Sequence, residues 1–127
     1  MGEPEHVVER NRYHIGPDGP VVVDGGLYPA VHVRGMSVHL TNAAAQAVLF
    51  YMQDSDDAQT WAIALFSTPT AANQLSLTMV GLSQAAILLA TRRRYLRFAA
   101  VPAAGPADLY LVCSQFIPLG PVVPVAY

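Results

Sequence analysis

Short runs of alternating apolar and polar residues, broken by turn residues, fill most of the chain after residue 31. In Leu75-Ser76-Leu77-Thr78-Met79 every second residue is apolar, and later Leu109, Leu111 and Cys113 alternate with Tyr110, Val112 and Ser114. A period of two places successive side chains on opposite faces, which is typical of half-buried strands. Several such strands with turn signals between them predict an all-β fold. We therefore expect an antiparallel, jelly-roll-like β-sandwich with extended N- and C-terminal arms.

Two segments, 42–53 and 83–94, fit either a helix or a strand. Asn42 before an alanine-rich run would cap a helix, whereas the aromatic and β-branched residues that follow favour a strand. We predict a strand over 47–53, because the neighbouring segments on both sides have strand patterns. The second segment stays open, since Ser83 could cap a helix.

The turn residues divide the chain into three parts. Residues 1–30 hold most of the acidic residues and two Gly- and Pro-rich turns, so they predict an extended arm with one brief strand at 21–23. Residues 31–116 carry the sandwich. Residues 117–127 contain three prolines, which cannot form a regular ladder, and predict a second extended arm.

The composition points to an assembly. Hydrophobic residues make up 53% of the chain and charged residues only 13%, whereas about 25% charged residues is typical. A monomer would have difficulty covering such a surface, so we expect other subunits to cover part of it. A net charge of −2 gives no basic excess for phosphate backbones, and we expect no nucleic-acid partner.

Targeting and redox signals are few. The segment Met1 to Glu5 is acidic and lacks an apolar stretch, so we expect no secretory signal. The longest aliphatic run, 85–90, is far shorter than the roughly 20 residues of a membrane span, and we expect no membrane partner. The single cysteine, Cys113, lies in an alternating apolar run, which predicts a buried, inert thiol.

The candidate interface residues fall into two groups. The first is an arginine cluster that suits bidentate pairing with carboxylates, on a neighbouring subunit or in the arm at Glu3, Glu5 and Glu9: Arg92, Arg93, Arg94 and Arg97. The second group lies in the arms and would present apolar or tyrosine side chains to a partner: Tyr28, Val122, Val123 and Tyr127. A solvated basic turn is the alternative for the arginines.

Trp61 begins a run in which Trp61, Ile63 and Leu65 alternate with alanines. This pattern predicts that the large side chains face the core and that the alanines form the outer face. An exposed sugar-binding platform is the alternative for the tryptophan.

Other residues invite metal sites but lack the required spacing. Asp54, Asp56 and Asp57 cluster as calcium ligands do, yet the glycine and glutamate of a calcium loop are missing, so a solvated turn is favoured. Zinc is a second possibility at the four histidines, but no Cys or second His lies at ligand spacing from His32 or His39: the four are His6, His14, His32 and His39. We expect no metal and no cofactor.

Two parts of the chain resemble small β-sandwich proteins of tailed-phage virions. The run Val48 to Trp61, with its Gln53-Asp54-Ser55-Asp56-Asp57 turn into Thr60-Trp61, resembles a hairpin of those proteins. The strand Arg94 to Phe98, the Ala103-Ala104-Gly105 turn and the strand Leu109 to Gln115 resemble their C-terminal end. The chain departs from the pattern at Asp56-Asp57-Ala58, where Asn-Asp-Gly is usual, so the turn must close without glycine.

The resemblance implies a capsid decoration, or cement, protein. Such proteins commonly form trimers on capsid symmetry axes and use a terminal arm to clasp neighbours. It thus implies a homotrimer that binds the major capsid protein on the virion exterior after synthesis in the host cytoplasm. The alternative is a carbohydrate- or receptor-binding module of a phage tail or spike. No nucleophile elbow, phosphate loop or carboxylate pair is evident, so we expect no enzymatic activity.

Overall fold

The computed structural model describes residues 10–17, 19–26, 33–114 and 117–118, and it confirms the antiparallel β-sandwich. Within these ranges the chain forms strands and turns without a helix. The strands are β1 Arg10–Ile15, β2 Val21–Asp24, β3 Arg34–Asn42, β4 Val48–Ser55, β5 Ala62–Ala64, β6 Phe66–Thr68, β7 Ala71–Gln74, β8 Leu77–Met79, β9 Ser83–Thr91, β10 Tyr95–Pro102, β11 Leu109–Ser114 and β12 Ile117–Pro118.

The strands form two sheets. The larger sheet has the order β1-β11-β3-β9-β6-β7, with β12 also paired to β3. The smaller sheet has the order β2-β10-β4-β5, with β8 also paired to β4. All the pairs are antiparallel. The chain changes sheet at Leu65, which lies between β5 in one sheet and β6 in the other.

Phenylalanine rings join the two sheets in the core. Phe50 and Phe98 belong to the smaller sheet, and their ring centroids lie 6.0 Å apart. Phe66 of the larger sheet meets Phe50 edge-on at 5.7 Å, a geometry that aromatic pairs favour. All three side chains are buried. Alternate residues of β3, β9 and β11 supply the facing side of the core, as expected for sheets that pack face to face.

Both segments whose sequences fit either a helix or a strand contain strands. The strand predicted over 47–53 is confirmed as β4, and the open segment 83–94 contains β9. Strand β9 pairs with β3 along its whole length, from Ser83 opposite Asn42 to Thr91 opposite Arg34. Ile87 and Leu89 face inward while Leu88 faces solvent, so the period of two dominates over the helical propensity of the alanines.

The predicted N-terminal arm contributes to both sheets where it is described. The strand expected at 21–23 is confirmed as β2, which pairs with β10. Residues 10–15 form β1, which pairs with β11. In the predicted C-terminal arm, β12 places Ile117 opposite Gly35 and Pro118 opposite Arg34. These pairs anchor the described parts of both arms to the sandwich.

Candidate functional site

The predicted arginine cluster lies at one end of the sandwich, in and after the turn between β9 and β10. Arg93 reaches the neighbouring β4–β5 turn, where its Nη1 donates to Asp56 at 3.0 Å and its Nε lies 3.4 Å from Asp54. The hydroxyl of Thr91 stabilises the β9–β10 turn, because it accepts the Arg93 backbone N–H at 2.9 Å. Arg93 thus pairs with acids of its own chain.

Arg94 forms the most regular ion pair of this end. Its Nε and Nη2 donate to the two carboxylate oxygens of Asp24 at 2.8 and 2.9 Å, and the Gly26 backbone N–H donates to the same carboxylate. The Arg94 hydrogen bond and that of Gly26 lower the pKa of Asp24 to about 2. Both side chains are partly exposed, so the pair orders the end of β2 more than it stabilises the fold.

Arg97 covers Trp61 on the outer face of the smaller sheet. Its guanidinium carbon lies 4.4 Å from the centroid of the indole ring, a cation–π contact, and its Nε donates to Gln53 at 2.8 Å. The prediction that Trp61 lies in the core is wrong. The ring is half-buried, because its position in the chain precedes β5 and places it beside Arg97.

The remaining predicted interface residues are Arg92 and four residues of the predicted arms. Arg92 is exposed and makes no hydrogen bond or ion pair with the part of the chain that the structure describes. The four candidates in the predicted arms lie outside the described residues: Tyr28, Val122, Val123 and Tyr127. The same is true of His6, His32 and the expected acidic partners Glu3, Glu5 and Glu9. The structure thus brings three of the four arginines together with acceptors of the same chain.

Arg34 lies at the same end of the sandwich, although it is not among the site residues predicted from the sequence. Its side chain is buried, and it donates from Nη1 to the Gly25 carbonyl and from Nη2 to the Arg93 carbonyl at 2.8 Å. It thereby links β3 to the end of β2 and to the arginine turn, which is the β9–β10 turn that contains Arg92, Arg93 and Arg94. The signal was present, because Arg34 shares its parity with Met36 and Val38, which face the core.

The β4–β5 turn closes without glycine through side-chain hydrogen bonds. The buried Ser55 hydroxyl accepts the backbone N–H groups of Asp57 and Ala58 and donates to the Asp57 carboxylate. That carboxylate accepts the N–H groups of Gln59 and Thr60 at 2.8 and 2.9 Å. Ala58 adopts φ 60°, the left-handed conformation that glycine adopts at little cost.

Replacing Ala58 with glycine is expected to raise the free energy of unfolding by about 0.5–1 kcal/mol. An L-residue in the left-handed region costs roughly 1–2 kcal/mol, and the greater freedom of glycine in the unfolded chain offsets part of that gain. Urea unfolding measures the change. The matched control is Ala62→Gly on β5, an exposed strand position where glycine should destabilise. Equal destabilisation by both changes would contradict a strained turn.

The hydrogen bonds to Asp57 predict a dependence of stability on pH. Its bonds from Thr60, Gln59 and Ser55 lower its pKa to about 2. Because the folded pKa lies below the unfolded value of about 3.9, the stability that Asp57 contributes is complete above about pH 5 and is lost as the pH falls towards 2. NMR titration should give the low pKa. In Asp57→Asn, stability should depend less on pH between 4 and 2 than in the parent, while Asp24 keeps its own low pKa.

A groove of about 680 Å³ opens next to this end, where the chain crosses from β5 to β6. Asp54 contributes to its lining, and burial raises the pKa of this carboxyl despite the nearby Arg93. Ile63 and Leu65, predicted to face the core, are exposed and line the groove. Ala64 and Phe66 are buried instead, because the chain changes sheet at Leu65. The expected assignment of faces in this run is therefore wrong.

The described residues offer no arrangement for metal chemistry. Within them, no group of three or more His, Cys, Asp or Glu side chains could hold a metal ion. His14 instead contacts Asp108 at 2.7 Å and stacks on Tyr110. Cys113 is buried as predicted, and burial raises the pKa of its thiol to about 12. Its thiolate is therefore scarce at neutral pH.

Comparison with known proteins supports the fold. No protein-family model and no curated protein matches the sequence. Among solved structures, the chain is similar to the crystal structure of PirA, with 14% identity and a TM-score of 0.53 over 91% of this chain and 100% of that one. It also matches the SPBc2 prophage-derived protein YomS, with 11% identity and a TM-score of 0.46 over 85% of this chain and 97% of that one. At this identity, the likeness to PirA shows a shared β-sandwich fold alone.

Within the described ranges, the structure contains no helix long and apolar enough to cross a membrane.

Proposed function

We propose that this chain is a virion structural protein, a homotrimer that binds the assembled capsid of a tailed phage from outside and stabilises it. The observation that carries the proposal is the apolar outer surface of the sandwich. Large apolar side chains are exposed on both sheets and in the turns: Val22, Leu49, Ile63, Leu65, Leu75, Val80, Leu82, Leu88, Val101, Tyr110 and Ile117. A chain with only 13% charged residues has little polar surface with which to separate them.

The ion pairs at the arginine end support a structural role. Arg93 and Arg94 are paired with Asp54, Asp56 and Asp24, so their charges are largely neutralised within the chain. Arg92 stays exposed and is the arginine of this cluster best placed to reach a carboxylate on a neighbouring subunit. An apolar surface with few unpaired charges suits a lasting protein interface more than a charged ligand.

We also propose that the protein has no enzymatic activity. The buried Cys113 thiol, with its pKa near 12, is a poor nucleophile. Asp54 lines the groove, and both Asp54 and Asp56 contact Arg93, which favours a structural ion-pair network over a carboxylate pair in a cleft.

Capsid stabilisation would follow from thermodynamic linkage. A protein that binds the assembled shell but not its free subunits stabilises the shell in proportion to its binding free energy. A trimer binds through three copies of each contact, so contacts of modest strength combine into slow dissociation. The sandwich supplies rigidity, and the arms and the exposed apolar side chains supply the contacts.

Two measurements test the proposal. Light scattering across a dilution series should give about three times the chain mass of 13.6 kDa. Mass spectrometry of purified virions of the phage that encodes this protein should find the protein in a fixed ratio to the major capsid protein. Particles that lack the protein should rupture at a lower temperature. Absence from the particles, or unchanged heat resistance without it, would overturn the proposal.

The second candidate is a carbohydrate- or receptor-binding module of a phage tail or spike. The observation that favours it is the half-buried Trp61 on an outer sheet face, where its ring stacks against Arg97. Sugars stack on such rings and accept hydrogen bonds from neighbouring arginines. Saturable glycan binding that Trp61→Ala abolishes would favour this function. Arg97 already covers one face of the ring, so only its other face could receive a sugar.

A further inference from the structure

The groove at the β5–β6 crossing is mainly apolar. Its volume is about 680 Å³, and Leu88, Ile117 and Ile63 on its walls are 62%, 55% and 52% exposed. Small side chains such as Ser37 and Ala90 form its floor on the larger sheet. Ligand-binding clefts have volumes of about 300–1,000 Å³ and mainly apolar linings, so this groove is large enough to receive several apolar side chains.

The charges around the groove favour an uncharged occupant. Asp54 is the one ionisable side chain among the described residues that line it, and it is already engaged by Arg93 and Thr91. A cationic ligand would compete with Arg93, and an anionic ligand would meet the carboxylate. The occupant that fits is therefore apolar and without charge.

The last nine residues of the chain have this chemistry. Residues 119–127, with the sequence LGPVVPVAY, contain no charged side chain and carry two prolines. They follow β12 directly, and Ile117 of β12 itself lines the groove. Proline lacks the backbone N–H of a sheet ladder, so this segment suits a site that binds side chains on the face of a sheet.

We propose that the groove is the docking site for residues 119–127 of a second copy of this chain. The direction of β12 favours a second copy over the same chain. Strand β12 runs antiparallel to β3 and ends opposite Arg34, the first residue of β3, while the groove lies over residues 35–37. At its last residue, Pro118, strand β12 is therefore directed away from residues 35–37 of the groove. At about 3.3 Å per residue, nine extended residues span about 30 Å, enough to reach a neighbouring subunit.

This docking rests on the proposed homotrimer and gives it a mechanism. A segment of one copy in the groove of the next is a head-to-tail contact, which produces a closed ring when the rotation closes. Val122, Val123 and Tyr127 of the segment would supply the apolar side chains. The same contact would cover Leu88, Ile63 and Ile117, which are among the exposed apolar residues of the isolated chain.

A pair of charge substitutions in the full-length chain tests the groove. Leu88→Asp places a carboxylate on the groove wall and should convert the trimer to a monomer in light scattering. Val80→Asp introduces the same charge at a residue that is 67% exposed in the β8–β9 turn and outside the groove lining. It should leave the trimer intact. Circular dichroism should show the strand spectrum of the parent for both variants, since both side chains face solvent.

A truncation after Pro118 tests the segment itself. All the described strands end by this residue, so the shortened chain should keep its strand spectrum but become monomeric. A fluorescent synthetic peptide with the sequence of residues 119–127 should bind the shortened chain in an anisotropy titration. Leu88→Asp in the shortened chain should weaken that binding at least tenfold, and Val80→Asp should not.

The outcomes separate this inference from the proposed function. If the trimer survives both Leu88→Asp and the truncation, and the peptide does not bind, the docking is refuted while the trimer stands. If the full-length chain is a monomer at all concentrations but the shortened chain binds the peptide, the segment occupies its own groove and the second-copy docking is overturned. The presence of the chain in virions then decides the proposed function independently.

Discussion

Replacing Gly81 with alanine is expected to lower the free energy of unfolding by about 3 kcal/mol, at the upper end of the usual cost of overpacking. Gly81 lies in the turn between β8 and β9, against the loop 43–47. A Cβ at this position would lie 2.0 Å from the carbonyl oxygen of Ala45 and 2.4 Å from its carbonyl carbon. Such distances are far inside van der Waals contact, so either the turn or the loop must move.

Hydrogen bonds between the turn and the loop make this movement costly. The backbone N–H of Leu82 donates to the Ala44 carbonyl at 2.9 Å. The amide of the buried Asn42 donates to the carbonyls of both Gln46 and Val80, at 2.9 and 3.0 Å. Separating the turn from the loop would break these bonds, and each buried group left without a partner costs about 1–3 kcal/mol.

Urea unfolding of Gly81→Ala measures the effect, and Gly105→Ala is the matched control. Gly105 has φ +69°, but among the described residues no atom outside its chain neighbours lies within 4 Å of the point that a Cβ would occupy. Its substitution should therefore cost only the backbone term of about 1–2 kcal/mol. If the two variants lose the same stability, the close approach of Gly81 to Ala45 is not the cause.

Local patterns identify strands well because the period of two is a property of each strand alone. Leu109, Leu111 and Cys113 were expected on one face, and all three are buried in the core. The strand predicted over 47–53 is present for the same reason. In these segments, the alternation and the burial agree because each strand stays within one sheet.

The pattern fails where the chain changes sheet or where burial depends on distant residues. Ile63 and Leu65 were assigned to the core by their size, yet the crossing at Leu65 turns Ala64 and Phe66 inward. Trp61 was assigned to the core by the same argument, although Arg97 from another strand covers its ring. Parity shows which residues share a face, but it does not show which face is inside.

The candidate site could be predicted only in part, for a related reason. The arginine cluster is visible as a run in the sequence, but the partners of its members lie far along the chain. Asp24 is 70 residues from Arg94, and Gln53 is 44 residues from Arg97. Sheet topology brings these pairs together, and a single sequence contains no local signal for it. Among the described residues, Arg93 pairs with Asp54 and Asp56, and Arg94 pairs with Asp24 of the predicted N-terminal arm.

Replacing the buried Arg34 with methionine is expected to cost about 2–3 kcal/mol, the second largest effect. Methionine keeps much of the side-chain length and packing, so the change mainly removes the donors to the Gly25 and Arg93 carbonyls. Hydrogen bonds from a charged donor contribute about 1.5–3 kcal/mol each. Both carbonyls belong to residues that are only partly covered, so water can recover part of the loss.

The same substitution has a second, independent readout in Asp24. The Arg34 charge contributes to the low pKa of that carboxyl, after the larger effects of Arg94 and Gly26. In Arg34→Met, NMR titration should therefore find the pKa of Asp24 raised from about 2 towards its usual value. The stability that Asp24 contributes would then be lost at a higher pH than in the parent chain, because a folded pKa closer to the unfolded value narrows the window of linkage.

Arg94→Met and Arg34→Lys complete the design by separating burial from charge. Arg94 is partly exposed and forms a surface ion pair, so its loss should cost no more than about 1 kcal/mol. Lysine at position 34 keeps the charge but lacks the planar fork that reaches two carbonyls at once, and it should fall between the parent and the methionine variant. If Arg34→Met is no less stable than Arg94→Met, Arg34 does not hold β2, β3 and the arginine turn together, and that end of the sandwich must be ordered by its surface ion pairs.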